Sequence, residues 1–106
     1  MIIKKQISGW GRYPLSNSNI IRPKNIQECR NTLNKILIPR GRGRSYGDSA
    51  INNTVLETNY LDNLLNLNEA NGILTCSSGI SLNDILNFIV PKGWFIPVSP
   101  GTSYAT

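Results

Sequence analysis

The chain has 106 residues, 40% hydrophobic and 16% charged, which is the make-up of one folded domain with a modest core and excludes a disordered segment, a fibre or a mucin-like stalk. Its formal net charge of +5, from 11 Lys and Arg against 6 Asp and Glu, favours an anionic partner such as nucleic acid, a membrane surface or a phosphorylated small molecule. The absence of any His excludes Ser-His-Asp and Cys-His catalysis and almost every zinc site, so no metal site is expected.

From the start of the chain, Met1-Ile2-Ile3-Lys4-Lys5 lacks the apolar core and cleavage site of a signal peptide. No apolar run approaches the ~20 residues of a membrane-spanning helix. No transmembrane segment is expected, and the cytoplasm is the default location. Asn19-Ile20-Ile21-Arg22 before Pro23 reads as a strand. Asn25 then caps a helix with Glu28 at its third position, and Ile26, Cys29 and Leu33 recur at helical spacing as one buried stripe. Ile36-Leu37-Ile38 has strand character and runs directly into the loop Pro39-Arg40-Gly41-Arg42-Gly43-Arg44-Ser45-Tyr46-Gly47-Asp48-Ser49.

Thr54-Val55-Leu56-Glu57-Thr58 reads as the next strand and Leu61 to Leu64 as a brief helical turn. Leu65-Asn66-Leu67 and Ile73-Leu74-Thr75-Cys76 flank a segment ending in Asn71-Gly72, a hairpin signal. Ser81 caps a second helix whose apolar face is Leu82, Ile85, Leu86 and Ile89, stopped by Pro91-Lys92-Gly93. Phe95-Ile96-Pro97-Val98 then extends toward Pro100-Gly101-Thr102, and Trp94 is expected only to pack. Cys29 and Cys76 each lie in regular structure and have no metal-ligand spacing, so buried reduced thiols are expected. Two main helices with a small mixed sheet and at least one antiparallel pair make the class α+β.

The loop is the most informative feature. Gly41, Gly43 and Gly47 free its backbone to turn successive N–H groups inward as a concave anion site, which suits a diphosphate, and Arg40, Arg42 and Arg44 add positive charge. Its spacing is not that of the dinucleotide-binding G-x-G-x-x-G fingerprint, and no Gly-Lys-Ser/Thr ends it as in a Walker loop. Composition and spacing leave three readings open: a solvated basic turn, an Arg-Gly loop on nucleic acid, and a phosphate cradle for a nucleotide cofactor.

The run from Arg40 to Asp48 resembles the FAD pyrophosphate loop of the vanillyl-alcohol-oxidase and p-cresol-methylhydroxylase (PCMH) type flavoenzymes. Gly9-Trp10-Gly11-Arg12, Val55-Leu56-Glu57-Thr58, Ser78-Gly79-Ile80-Ser81-Leu82 and Val98-Ser99-Pro100-Gly101-Thr102 resemble that family in the same order, so the likeness extends from about Ser8 onward. It implies that residues 1–106 are the amino-terminal part of a PCMH-type FAD-binding domain, with the rest of that domain and a substrate domain lying downstream. It also implies that Pro39 to Ser49 wrap the FAD diphosphate and ribose, and that Gly101 and Thr106 belong to a second loop facing the cofactor.

The family's usual chemistry moves hydride from an alcohol or sugar carbon to the flavin. No residue of the chain is a credible base for that step, so no catalytic residue is assigned. Some relatives bind flavin covalently through a His next to the loop Ser; here Arg44 precedes Ser45, which implies noncovalent FAD. Ser45 and Tyr46 are the side chains expected at the cofactor, Tyr46 alternatively as a packed loop aromatic. Asp48 is expected to brace the loop by accepting backbone hydrogen bonds, and Trp10 to be a packing indole or else a wall near the substrate entrance. A small basic nucleic-acid-binding module is the alternative, but under the family reading no nucleic-acid partner is expected. The fragment by itself is expected to expose apolar surface and to be inactive.

Overall fold

The computed structural model describes residues 2–106. Four strands form a mixed sheet in the order β1-β2-β4-β3: β1 (Ile2–Ser8), β2 (Leu15–Ile21), β3 (Ile38–Arg40) and β4 (Thr54–Glu57). β1 pairs antiparallel with β2, while β2 and β3 both run parallel to β4. Central strands of this kind are covered on both faces and read as continuous apolar runs. Val55, Leu56 and Glu57 are accordingly all buried, as are Ile20 and Ile21 in the neighbouring strand. Ile7, Ile20 and Val55 form the centre of the core, with Ile3, Ile38 and Ile51 packed against them.

Helix α1 (Ile26–Arg30) connects β2 to β3, capped by Asn25, whose side chain accepts from the Glu28 amide at 2.9 Å. The cap is as expected, but the buried stripe is not found. The helix ends at Arg30, Ile26 and Leu33 are exposed, and Cys29 is half-buried. Five residues are too few to bury a face, and the Asn-rich continuation drops into turns closed by Thr32 and Leu33 amides. Ile36 likewise falls outside β3 and is 92% exposed, so that edge strand begins two residues later than its sequence suggests.

A second sheet is the hairpin of β5 (Leu64–Asn68) and β6 (Ile73–Cys76), with Gly72 in the left-handed region at its turn and the Trp94 ring lying across that glycine. Residues 61–63 form no helical turn: the Leu61 amide bonds back to the Thr58 carbonyl and the chain proceeds straight into β5. Helix α2 (Leu82–Ile89) begins at its Ser81 cap and buries Ile89, then tightens into a single 3-10 turn over Val90–Lys92, closed by Gly93. Residues 95–98 are irregular rather than extended strand. Both cysteines are free and half-buried. This mixed assembly of two small sheets and two helices is the α+β arrangement expected. Among the described residues, no helix is long and apolar enough to cross a membrane.

Candidate functional site

Because β3 and β4 are parallel neighbours, the chain leaving β3 must travel back along the sheet before it can enter β4, and residues 41–53 do so as a loop. Its first part contains Gly41–Asp48. None of the amides from Arg42 to Asp48 donates to a protein acceptor among the described residues. Gly43 and Gly47 take φ of 71° and 59°, values that side-chain-bearing residues rarely adopt and that occur in backbone anion nests.

Two other segments support the loop. The Trp10 amide donates to the Ser45 carbonyl at 2.8 Å, and Gly9 passes so close below that a Cβ there would sit 2.7 Å from the Gly47 carbonyl oxygen. The sequence Gly9-Trp10 thus has a physical reason: one residue without a side chain, followed by an amide that holds the loop's backbone. Ser49 adds a bond of 2.8 Å from its hydroxyl to the Tyr46 carbonyl. Asp48 accepts a backbone hydrogen bond within the loop, from the Ile51 amide to its carbonyl at 3.3 Å.

Arg40 is the largest departure from expectation among the loop cations. Its guanidinium turns inward, donating to the Ser8 carbonyl at 2.8 Å and standing 3.9 Å from Glu57, with the side chain only 12% exposed. Glu57, 7% exposed, is held at 2.6 Å by Arg22, a hydrogen bond that raises the Arg22 pKa above its ordinary value. Arg40 therefore stiffens the floor under Gly43 and adds no free charge toward a ligand. A buried Arg is held where it can reach a carboxylate, and Glu57 was visible in the sequence only as a strand residue. Pro39 is exposed in the middle of β3, and Arg42 is exposed on the loop.

Arg44 leans between two rings, 5.2 Å from the centroid of Trp10 and 5.9 Å from that of Tyr104. Trp10 is 56% exposed and Tyr46 78% exposed, so neither is buried in the core of this chain. Both line a cleft of about 250 Å³ together with Arg44, Thr102 and Tyr104. Beside it, Gly41 through Ser45 face Ala105 and Thr106 across a second cleft of about 200 Å³. The Gly41–Thr106 approach is close enough that a Cβ on residue 41 would collide with the Thr106 hydroxyl. Gly101 is exposed with open space around it, nearer the start of the same segment.

The carboxyl-terminal segment owes its position to helix α2. The first four amides of a helix lack intrahelical partners. Here Leu82 donates to the Ala105 carbonyl at 2.9 Å, Asn83 to that of Ser103 at 2.8 Å and Asp84 to the Ser81 hydroxyl at 3.1 Å, while Ile85 makes the first bond of the helix itself, to the Ser81 carbonyl. The amides of Leu82, Asn83 and Asp84 are all used within the protein, so this helix end is not free to bind a phosphate and instead ties residues 103–105 opposite the loop. Ser103, Tyr104 and Ala105 were not among the residues expected at the site; the capped helix start was visible, but which carbonyls its amides would find was not.

The family described as FAD binding domain matches residues 18–106. The chain belongs to that family. FAD is its cofactor. The chain is also similar to the decaprenylphosphoryl-beta-D-ribose oxidase of Mycolicibacterium smegmatis (strain ATCC 700084 / mc(2)155), 26% identical over 111 residues. That alignment covers 96% of this chain and 24% of the oxidase, so the chain spans about a quarter of that relative's length. The residues present suit such a dinucleotide. Unpaired loop amides and glycines that leave room for two phosphate groups sit beside an aromatic cleft that can take a flat ring or a ribose face.

Proposed function

We propose that this chain is the FAD-gripping portion of an oxidoreductase that oxidises an alcohol or sugar hydroxyl. When bound, the flavin accepts a hydride from the carbon bearing that hydroxyl. The work of the residues described here is binding and orientation. The amides between Arg42 and Asp48 hold the diphosphate, with Pro39 to Ser49 wrapping it and the ribose. The segment from Gly101 to Thr106, anchored by α2, closes the other side. The observation that carries this reading is that the loop's amides are left without protein partners while Thr106 is packed against Gly41.

The flavin is held noncovalently in this reading, because Arg44 stands beside Ser45 and the chain offers no imidazole. No side chain in either cleft is a base for the hydroxyl proton: the groups there are guanidinium, phenol, indole and hydroxyl. That proton is taken by a residue outside this span, as is the choice of substrate and electron acceptor. Support for an oxidase comes from the similarity to an enzyme named as one.

The test is to express the protein from its complete reading frame, denature it and separate the pigment. FAD free in the supernatant is the expected result. Yellow colour that stays with the polypeptide contradicts noncovalent holding, and a well-folded colourless protein that takes up no added FAD contradicts the whole reading.

A further inference from the structure

The loop has a second face. Besides the cleft toward Ala105 and Thr106, Gly43 and Arg44 border a different cleft of about 510 Å³, larger than the two already described, whose other wall is the end of β1 and the turn after it. Lys5, Arg12, Arg40 and Arg44 line it, and no carboxylate does. Arg40 is already engaged with Ser8 and Glu57. Lys5, Arg12 and Arg44 have no carboxylate within ion-pair distance among the described residues. Like charges gathered in one concavity without counter-charge repel each other, and they concentrate anions.

Two features indicate that the arrangement is held in place. Arg12 has φ of 62°, a left-handed conformation uncommon for a residue with a long side chain, and its amide closes a turn onto the Gly9 carbonyl at 3.2 Å. Trp10 forms a wall common to this cleft and the aromatic one, its backbone amide bonded to Ser45 and its ring beside Arg44.

We infer that the cleft between the end of β1 and the Gly43–Arg44 backbone is a second anion site, which binds the phosphate of a phosphomonoester and not the FAD diphosphate, with Lys5 and Arg12 as its charged ligands and Trp10 as its apolar wall. Compact, strongly hydrated phosphate is matched by Lys as a point charge and by Arg as a planar fork. Polar walls from Gln6 and Ser8 complete the lining. The site shares Gly43 and Arg44 with the diphosphate cradle but takes its charged ligands, Lys5 and Arg12, from outside it, and it stands whatever reaction the flavin carries out.

The test uses FAD-loaded protein expressed from its complete reading frame, with ribose 5-phosphate, ribose and inorganic phosphate as probes, followed by calorimetry. In a Trp94→Phe background Trp10 becomes the only indole contributed by this span. Ribose 5-phosphate is expected to bind, to perturb the emission of Trp10, and to bind about tenfold more weakly to Lys5→Gln/Arg12→Gln, about threefold for each of the two exposed charges removed. Both substituted residues are exposed, and circular dichroism together with FAD content shows that the variant is folded. Equal affinity for inorganic phosphate supports the site and assigns it to the free anion; tighter binding of the sugar phosphate supports it and assigns it to a phosphorylated substrate.

Four results overturn the proposal. They are no phosphate binding at millimolar concentration, binding unchanged in the double variant, loss of FAD from that variant, and binding only of a single-stranded oligonucleotide. FAD content is read separately from probe binding, so failure of the anion site is not mistaken for failure of the cofactor assignment.

Discussion

Glu57 shows how one buried carboxylate organises a loop it never touches a ligand through. It holds Arg22 at 2.6 Å and stands 3.9 Å from Arg40, whose guanidinium in turn lies beneath Gly43. Removing one partner of a buried ion pair costs about 3 kcal/mol because the other is left charged without compensation. Glu57→Gln is therefore expected to lower unfolding free energy by about that amount in urea denaturation and to weaken FAD binding as Arg40 loosens. Gly43 tests the same floor from above. At φ of 71°, with an added Cβ 3.0 Å from the Arg40 Cζ, Gly43→Ala meets both backbone strain of about 1 kcal/mol and displacement of the guanidinium. Gly47→Ala, at φ of 59° with no neighbour near its Cβ, meets the strain alone. Flavin fluorescence titration should show a larger loss of FAD affinity for the first than for the second; equal losses would remove the steric role assigned to Arg40. Arg44→Lys keeps the charge between Trp10 and Tyr104 but not the flat stacking surface, and a two- to fivefold rise in the FAD dissociation constant is expected from roughly 0.5–1 kcal/mol of exposed cation–π energy.

At the level of elements, α2 carries the coupling between the two sides of the site. Its cap, its apolar face and its stop were all legible, since Ser81, the periodic Leu82-Ile85-Leu86-Ile89 and Pro91-Lys92-Gly93 each act locally. Its task was not legible, because the carbonyls that its first amides reach come from Ser103 and Ala105, about twenty residues further along the chain. Ser81→Ala is expected to cost about 1 kcal/mol of stability. By fraying the helix start it should also release the segment opposite Gly41. If thermal denaturation shifts while FAD affinity stays at the wild-type value, α2 supports the fold but not the site. Helix α1 shows the opposite outcome: Asn25 capped a helix as expected, yet the apolar residues that followed stayed exposed because the helix closes after five residues.

The whole molecule is flatter than a chain of this size ordinarily is. Its radius of gyration is 15.3 Å against about 13 Å for a compact domain of ~100 residues, and its extents are 44 × 32 × 16 Å. The accessible surface, 7205 Å², exceeds the roughly 5,900 Å² that the scaling for compact monomers assigns to 11.8 kDa. Much of the excess is apolar, with Tyr13, Leu33, Ile36, Phe95 and Val98 all more than 60% exposed. Exposed apolar area on this scale favours association. The 106-residue chain on its own is accordingly expected to self-associate at micromolar concentration and to bind a hydrophobic dye; sedimentation of a clean monomer without dye binding would contradict this.

By itself the sequence determined the local decisions, because capping, hairpin turns and left-handed glycines depend on a few adjacent residues: the helix starts at Asn25 and Ser81, the turn at Gly72, the buried strand Thr54–Glu57 and the glycine-rich backbone with room for phosphate. Only the tertiary structure decided which cations remain free and what faces the loop. Arg40 and Arg44 sit four residues apart in one basic run, yet one is drawn inward by Ser8 and Glu57 and the other is stacked between Trp10 and Tyr104. Charge and spacing cannot distinguish them, since their partners are distant in the chain and are brought near only when the sheet closes and α2 fixes the end of the segment it binds.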